Sequence, residues 1–217
     1  MSLIRNNCMS FIIVFMITFL LSFSSSAESS YLKINYGLSS HDLSPTSTVG
    51  TVTTDDSDTG FILSTGTLIG DFWGVDLMYY DLGSSSITVD AGEQFKMDNV
   101  NYVAASGGTI SNDIDGYGAG LLLSTTNSSG FLGLTAYVKA GLHSWDKSGS
   151  TTILDNDNAF TGSFYNDGIG AYGGIGFSLD IFNDIGVDLA YDTLGLSNDA
   201  SFDNASSLFS VGVRVSF

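Results

Sequence analysis

The sequence predicts an all-β fold: a closed antiparallel β-barrel of eight strands that spans a membrane. Three observations carry this expectation. The last nine residues alternate, with Phe209, Val211, Val213, Val215 and Phe217 on one face and Ser210, Gly212, Arg214 and Ser216 on the other. A strand with lipid on one side and a polar lumen on the other has this pattern. The chain opens with Arg5 and the apolar run Phe11–Phe23, closed by Ser25-Ser26-Ala27, the layout of an export signal. Between these ends, amphipathic stretches are joined alternately by short turns and long polar segments.

The first 27 residues are expected to be a cleaved signal peptide, with a single domain over residues 28–217. The alternative is an anchoring helix, but the apolar run is shorter than the roughly 20 residues that a helical span needs. Cys8, the only cysteine, leaves with the signal, so no disulfide staples the exported chain. Removal of Arg5 leaves five basic and 23 acidic residues, a net charge of −18. That excess argues against nucleic acid as a partner. With 26 glycines and one proline, the chain suits strands and turns, and it has no second apolar run long enough for a helix in lipid.

Eight strands are expected. The first, near Tyr31–Ser39, sets Leu32, Ile34, Tyr36 and Leu38 against Lys33, Asn35 and Gly37. The second, Thr-rich, is near Gly60–Ile69. After a turn at Gly70-Asp71, the third (Phe72–Leu82) sets Trp73, Val75, Leu77 and Tyr79 against Gly74, Asp76, Met78 and Tyr80. The fourth (Ile114–Ser124) opposes Tyr117, Ala119, Leu121 and Leu123 to three glycines. A turn at Asn127–Gly130 leads to the fifth (Phe131–Ser144), with Tyr137 and Lys139 on its polar face. The sixth (Gly168–Leu179) carries Ile175 and Phe177 against Gly174 and Gly176. The seventh (Ile185–Tyr191) carries Asp188 inward, and the eighth is terminal. The long connections fall near 40–58, 83–112, 146–166 and 192–206, at the end of the barrel that faces the cell exterior.

The second half of the chain resembles the eight-stranded transmembrane domain of the outer-membrane protein A-like (OmpA-like) family. The likeness lies in Tyr137–Trp145, Ala171–Phe177, Val187–Tyr191 and Phe209–Val213. It implies a Gram-negative outer-membrane location. It also implies that the terminal strand (Phe209, Val211, Val213, Val215, Phe217) signals to the barrel-assembly machinery. The sequence ends at the barrel, so the periplasmic peptidoglycan-binding domain of larger members is not expected.

An eight-stranded barrel is just wide enough inside for side chains to fill it. The inward charges are expected to be Lys33, Asp76, Asp115, Lys139, Asp188 and Arg214, with Asp76 and Asp188 as partners of Lys33 and Arg214. Inward glycines on the fourth and sixth strands leave room for Tyr137 and Lys139. Tyr36, Trp73, Tyr79, Phe177 and Tyr191 are expected to form aromatic girdles at the membrane interfaces. Strict alternation would send Trp145 inward.

No catalytic, cofactor or metal site is expected. His143 and Ser144 are adjacent and so point to opposite faces, and His41 stands in a loop beside Asp42. Asp55-Asp56-Ser57-Asp58 and Asp155-Asn156-Asp157-Asn158 are oxygen-rich but lack the spacing of a calcium loop. The sequence thus describes a small structural or surface-exposed outer-membrane barrel with a filled lumen. Its partners would be outer-membrane lipids and lipopolysaccharide, the barrel-assembly machinery and an extracellular contact. The alternatives are an adhesin-like role through 83–112 and 146–166, a narrow porin, and a lipid A-modifying enzyme.

Overall fold

The computed structural model describes residues 29–42, 46–49, 52–69, 72–97, 100–103, 107–125, 133–155, 158–182, 184–197 and 205–217. The expected signal and the turns at Gly70-Asp71 and Asn127–Gly130 lie outside them. Among the described residues there are twelve strands: β1 (Ser29–His41), β2 (Thr46–Val49), β3 (Val52–Asp55), β4 (Ser57–Leu68), β5 (Trp73–Val89), β6 (Gln94–Met97), β7 (Val100–Val103), β8 (Gly108–Ser124), β9 (Leu134–Asp155), β10 (Asn158–Phe182), β11 (Ile185–Gly195) and β12 (Ala205–Ser216). Eight of them close a ring in the order β5-β4-β1-β12-β11-β10-β9-β8, with β8 returning to β5. The seam joins the first strand to the last, from Tyr31 opposite Ser216 to His41 opposite Ser206. Closure leaves no sheet edge in the spanning region, which lipid could not satisfy.

Alternation sorts the side chains. Outward stand Leu32, Ile34, Tyr36 and Leu38 of β1, Ile175, Phe177 and Leu179 of β10, and Phe209, Val211, Val213 and Val215 of β12, with Phe217 just beyond it, all exposed. Inward on the same strands stand Lys33, Asn35, Tyr172, Ser178 and Ser210, all buried. This inside-out arrangement requires an apolar solvent around the ring.

The staves are longer than the alternation of apolar residues suggests. A membrane-spanning strand needs about 9–11 residues, whereas β9 has 22 and β10 has 25. The segment 146–166, expected as a loop, is the continuation of these two strands, paired in register from Leu179 opposite Leu134 up to Asn158 opposite Asp155. Residues 83–112 likewise hold the tops of β5 and β8 and the β6–β7 hairpin, and residues 40–58 hold β2, β3 and the start of β4. β2 pairs with β6, so the first two external segments share a three-stranded sheet, β2-β6-β7. Above the lipid no apolar stripe is needed. Ser- and Thr-rich strands such as Ser84–Val89 therefore carry the ladder onward without the signal that marks a stave.

One irregularity steers this extension. The β5–β8 register shifts between Asp81 and Ser84, and Gly83 takes φ +72°. Asp58 braces the bulge, accepting from the Ser84 amide at 2.7 Å, the Ser84 hydroxyl at 2.9 Å and the Thr59 amide at 2.7 Å. The Ser84 amide above all holds the Asp58 carboxyl below its ordinary range. A methyl group at residue 83 would lie 2.6 Å from the Asp58 carboxylate, on a backbone that L-residues resist. Gly83→Ala should therefore destabilise the barrel by about 1–2 kcal/mol, read as a lower midpoint for urea unfolding in micelles.

Candidate functional site

The lumen is built in three layers. The lowest is a cavity of about 210 Å³ at the short-turn end, lined by residues that include Ser30, Ser124, Thr135, Ser178, Asp180 and Arg214. Its inner wall is the second layer, a polar belt centred on Asp188 of β11. Asp188 Oδ2 accepts from the Tyr137 hydroxyl at 2.7 Å and Asn35 Nδ2 at 2.8 Å, and Oδ1 accepts from the Ser178 hydroxyl at 2.5 Å. Lys33 Nζ lies 3.3 Å from Asp188 and donates to the Tyr137 hydroxyl at 2.8 Å. It also stands 4.3 Å from the centroid of the Tyr137 ring. Lys33 is 4% exposed and Asp188 0%, so neither charge has water in place of its partners.

Beside this centre, Lys139 meets Asp192 at 2.8 Å. Arg214 is paired with Asp180. Asp76 accepts from the Tyr31 hydroxyl at 2.6 Å, with the Tyr172 hydroxyl at 3.5 Å. The third layer is apolar and lies toward the exterior: Ile62, Met78, Tyr80, Leu82, Ile114, Tyr172, Leu194 and Leu208 form one buried cluster across the bore. His143 joins it to the wall. Its Nε2 lies 2.9 Å from the Gly195 carbonyl, which only accepts, so Nε2 carries the proton and Nδ1 accepts from the Tyr80 hydroxyl at 2.7 Å.

Tyrosines fit this bore because each faces a glycine on the next strand. Tyr31 is opposite Gly66, Tyr80 opposite Gly116, Tyr137 opposite Gly176, and Tyr172 opposite Gly141. At Gly176 a methyl group would lie 2.3 Å from the Tyr137 hydroxyl oxygen and dislodge the group that serves Asp188.

Of the charges expected inside, Lys33, Asp76, Lys139, Asp188 and Arg214 face the lumen. Asp115 does not. It shares the parity of Tyr117, while Ile114 and Gly116 point inward. Arg214 takes Asp180 rather than Asp76 or Asp188, and Asp76 is served by tyrosines. Asp180 and Asp192 have the inward parity of Ser178 and Asp188. Both lie one residue beyond the expected ends of strands six and seven, where an Asp reads as a turn residue. Trp145 points inward and is 7% exposed. His41 is not a loop residue: it ends β1, buried above the apolar band, with Nδ1 2.9 Å from the hydroxyl of the buried Ser206.

On the outer face, Tyr36, Trp73, Phe177 and Tyr191 are exposed, and Tyr79 packs on Phe61 at 5.9 Å between ring centroids. Tyr117 joins the upper girdle. Directly above it runs an acidic row in register across four staves, with Asp81 opposite Asp115, Asp115 opposite Asp146, and Asp146 opposite Asp167. Such a row marks where lipid tails end, because carboxylates are costly deeper in the bilayer. Tyr165 donates to Asp146 at 2.5 Å, which pushes its hydroxyl up to about 12. Among the described residues, no group of three or more His, Cys, Asp or Glu side chains is placed to hold a metal ion.

A closed ring of eight antiparallel staves, apolar outside and charged within, is a small outer-membrane β-barrel. Solved structures with a similar fold include OprG from Pseudomonas aeruginosa, at 14% identity and a TM-score of 0.50 over 88% of this chain and 97% of that one. Ail, the attachment invasion locus protein of Yersinia pestis, is 14% identical with a TM-score of 0.48 over 87% and 98%. Neisserial surface protein A is 19% identical with a TM-score of 0.43 over 87% and 97%. No protein-family model and no curated protein matches the sequence. At these identities the likeness concerns the fold.

Asp188→Asn should cost about 3–5 kcal/mol by leaving Lys33 buried without a counter-charge. The double variant Lys33→Met/Asp188→Asn should recover much of that loss in the same unfolding assay. His41 titrates outside the membrane. Burial first of all lowers its pKa, against a hydrogen bond to the Leu82 backbone and the pull of Asp58 and Asp56, and is aided by repulsion from Lys147. A base whose folded pKa is depressed keeps its full stability above the unfolded value of 6.5 and loses it as pH falls below that. Stability measured from pH 8 to about pH 5 should decline, and His41→Asn should flatten the decline.

Proposed function

We propose that this chain is a non-conducting outer-membrane anchor that holds a protruding β-sheet against the cell's surroundings, acting as a surface-recognition protein. One observation carries the reading: β5, β8, β9 and β10 run on above the acidic row, to Val89, Gly108, Asp155 and Asn158, while the bore beneath them is closed. A porin would need a continuous polar path, yet eight buried side chains of the apolar cluster cross this lumen. A lipid-modifying enzyme would need a histidine free to move protons at the lipid face. His143 is turned inward with both ring nitrogens engaged, and Ser206, beside His41, is fully buried. The outward aliphatic belt would contact outer-membrane lipids and lipopolysaccharide, and the terminal strand from Phe209 to Phe217 would be read by the barrel-assembly machinery.

Two measurements test the proposal. The purified barrel in planar bilayers should give no steady single-channel current. Cells carrying a variant with residues 149–163 replaced by a two-residue turn should lose attachment to external surfaces, while the variant still shows heat-modifiable migration. Steady currents, or attachment unaffected by the truncation, would refute it.

A further inference from the structure

The ring of staves is complete only as far as its shorter members reach. β11 pairs with β10 from Phe182 up to Tyr172 and no further. Beyond that point β10 continues from Ala171 to Asn158 with β9 on one side and, among the described residues, no strand on the other. In an antiparallel ladder every second residue turns its amide and carbonyl away from the existing partner. Asn158–Asp167 therefore presents a row of backbone donors and acceptors outside the membrane, where an extended chain can add as one more strand; below it the Gly195 carbonyl lies against Gly170. Proline, the usual guard of such an edge, does not occur in it.

The charge beside this edge selects the occupant. Asp167 lies on the edge strand itself, exposed and outward, with Asp146 opposite it on β9 and Asp115 and Asp81 continuing the row. A strand added to β10 would set its own outward side chains directly opposite Asp167 and Tyr165, and opposite charges in such cross-strand positions are favourable. Lysine or arginine stems are long enough to reach Asp146 as well. A second copy of this chain is the wrong occupant, because its identical strand would bring Asp167 and a strongly acidic surface against their like. We propose that the free edge of β10 binds an extended polypeptide segment carrying basic residues at alternate positions, by strand addition. The proposal rests on the surface-recognition reading above and names the partner class for it.

The probe is a ten-residue peptide of alternating lysine and valine, with fluorescence anisotropy measured against the full barrel in nanodiscs. Two control peptides replace lysine by glutamate or carry N-methyl groups on alternate amides. The unmodified peptide should bind, with affinity falling as salt rises. Both controls and the Asp146→Asn/Asp167→Asn variant should bind about tenfold more weakly or worse. Heat-modifiable migration of the variant checks that it is folded. Equal binding of the N-methylated peptide would reduce the contact to charge alone and overturn strand addition. Absence of binding by the unmodified peptide would overturn the whole proposal. If the hairpin truncation abolishes cell attachment while the peptide fails, the surface role stands and this partner class falls; if attachment survives truncation, both fall.

Discussion

The bore of an eight-stranded barrel is about one layer of side chains across, and everything inside this protein follows from that narrowness. Water cannot reach Asp188, so its carboxylate must be satisfied by the wall. It takes hydrogen bonds from β1, β9 and β10 at once, through Asn35, Tyr137 and Ser178, and its charge answers Lys33. A group that ties its own stave to three others resists shear between them. Removing one member leaves the rest unsolvated, which is why buried ionic clusters are costly to break even where they add little net stability. Space for the cluster comes from glycine. Each large inward tyrosine lies over a glycine of the adjacent strand, so ring and backbone together fill the volume that two ordinary side chains would overfill.

The same closure that buries charge inside leaves the apolar residues outside, and lipid sets their vertical extent. The upper aromatic girdle gives way within one outward position to the acidic row Asp81, Asp115, Asp146 and Asp167. Like charges directly opposite one another on a sheet repel, so the row sits where water and counter-ions weaken that repulsion, and Asp146 takes the Tyr165 hydroxyl as a donor. Above it the constraint that shaped the staves disappears. Hydrogen bonding continues because the backbone still requires partners, but the ring need not stay closed, and β9 and β10 rise as a sheet with an open side.

The boundaries of these regimes explain what could be read in advance. Outward and inward faces were legible on β1, β5, β9, β11 and β12, because a two-residue period is written directly into Leu32–Leu38, Trp73–Tyr80 and Phe209–Phe217. Asp115 faces outward because its own strand's period places it with Tyr117. On that strand alternation decides the face, whatever acid–base pairing would favour. Asp180 and Asp192 stand near strand ends, where an aspartate is as common in a turn as in a ladder. The upper halves of β9 and β10 were invisible because Ser, Thr, Asn, Asp and Gly in water carry no apolar rhythm, whether they form a loop or a ladder.

Alternation is local, so the sequence by itself determined which side chains face lipid and which face the lumen, and hence a barrel with aliphatic residues outside and charges within. Which charges meet was decided only by the tertiary structure. Lys33 finds Asp188, Arg214 finds Asp180 and Lys139 finds Asp192 across staves far apart in sequence. Contacts across a bore depend on the tilt and stagger of the closed ring, a property of all eight strands together. The protruding sheet belongs to the same class of fact: its pairing partners, not its composition, make it a sheet.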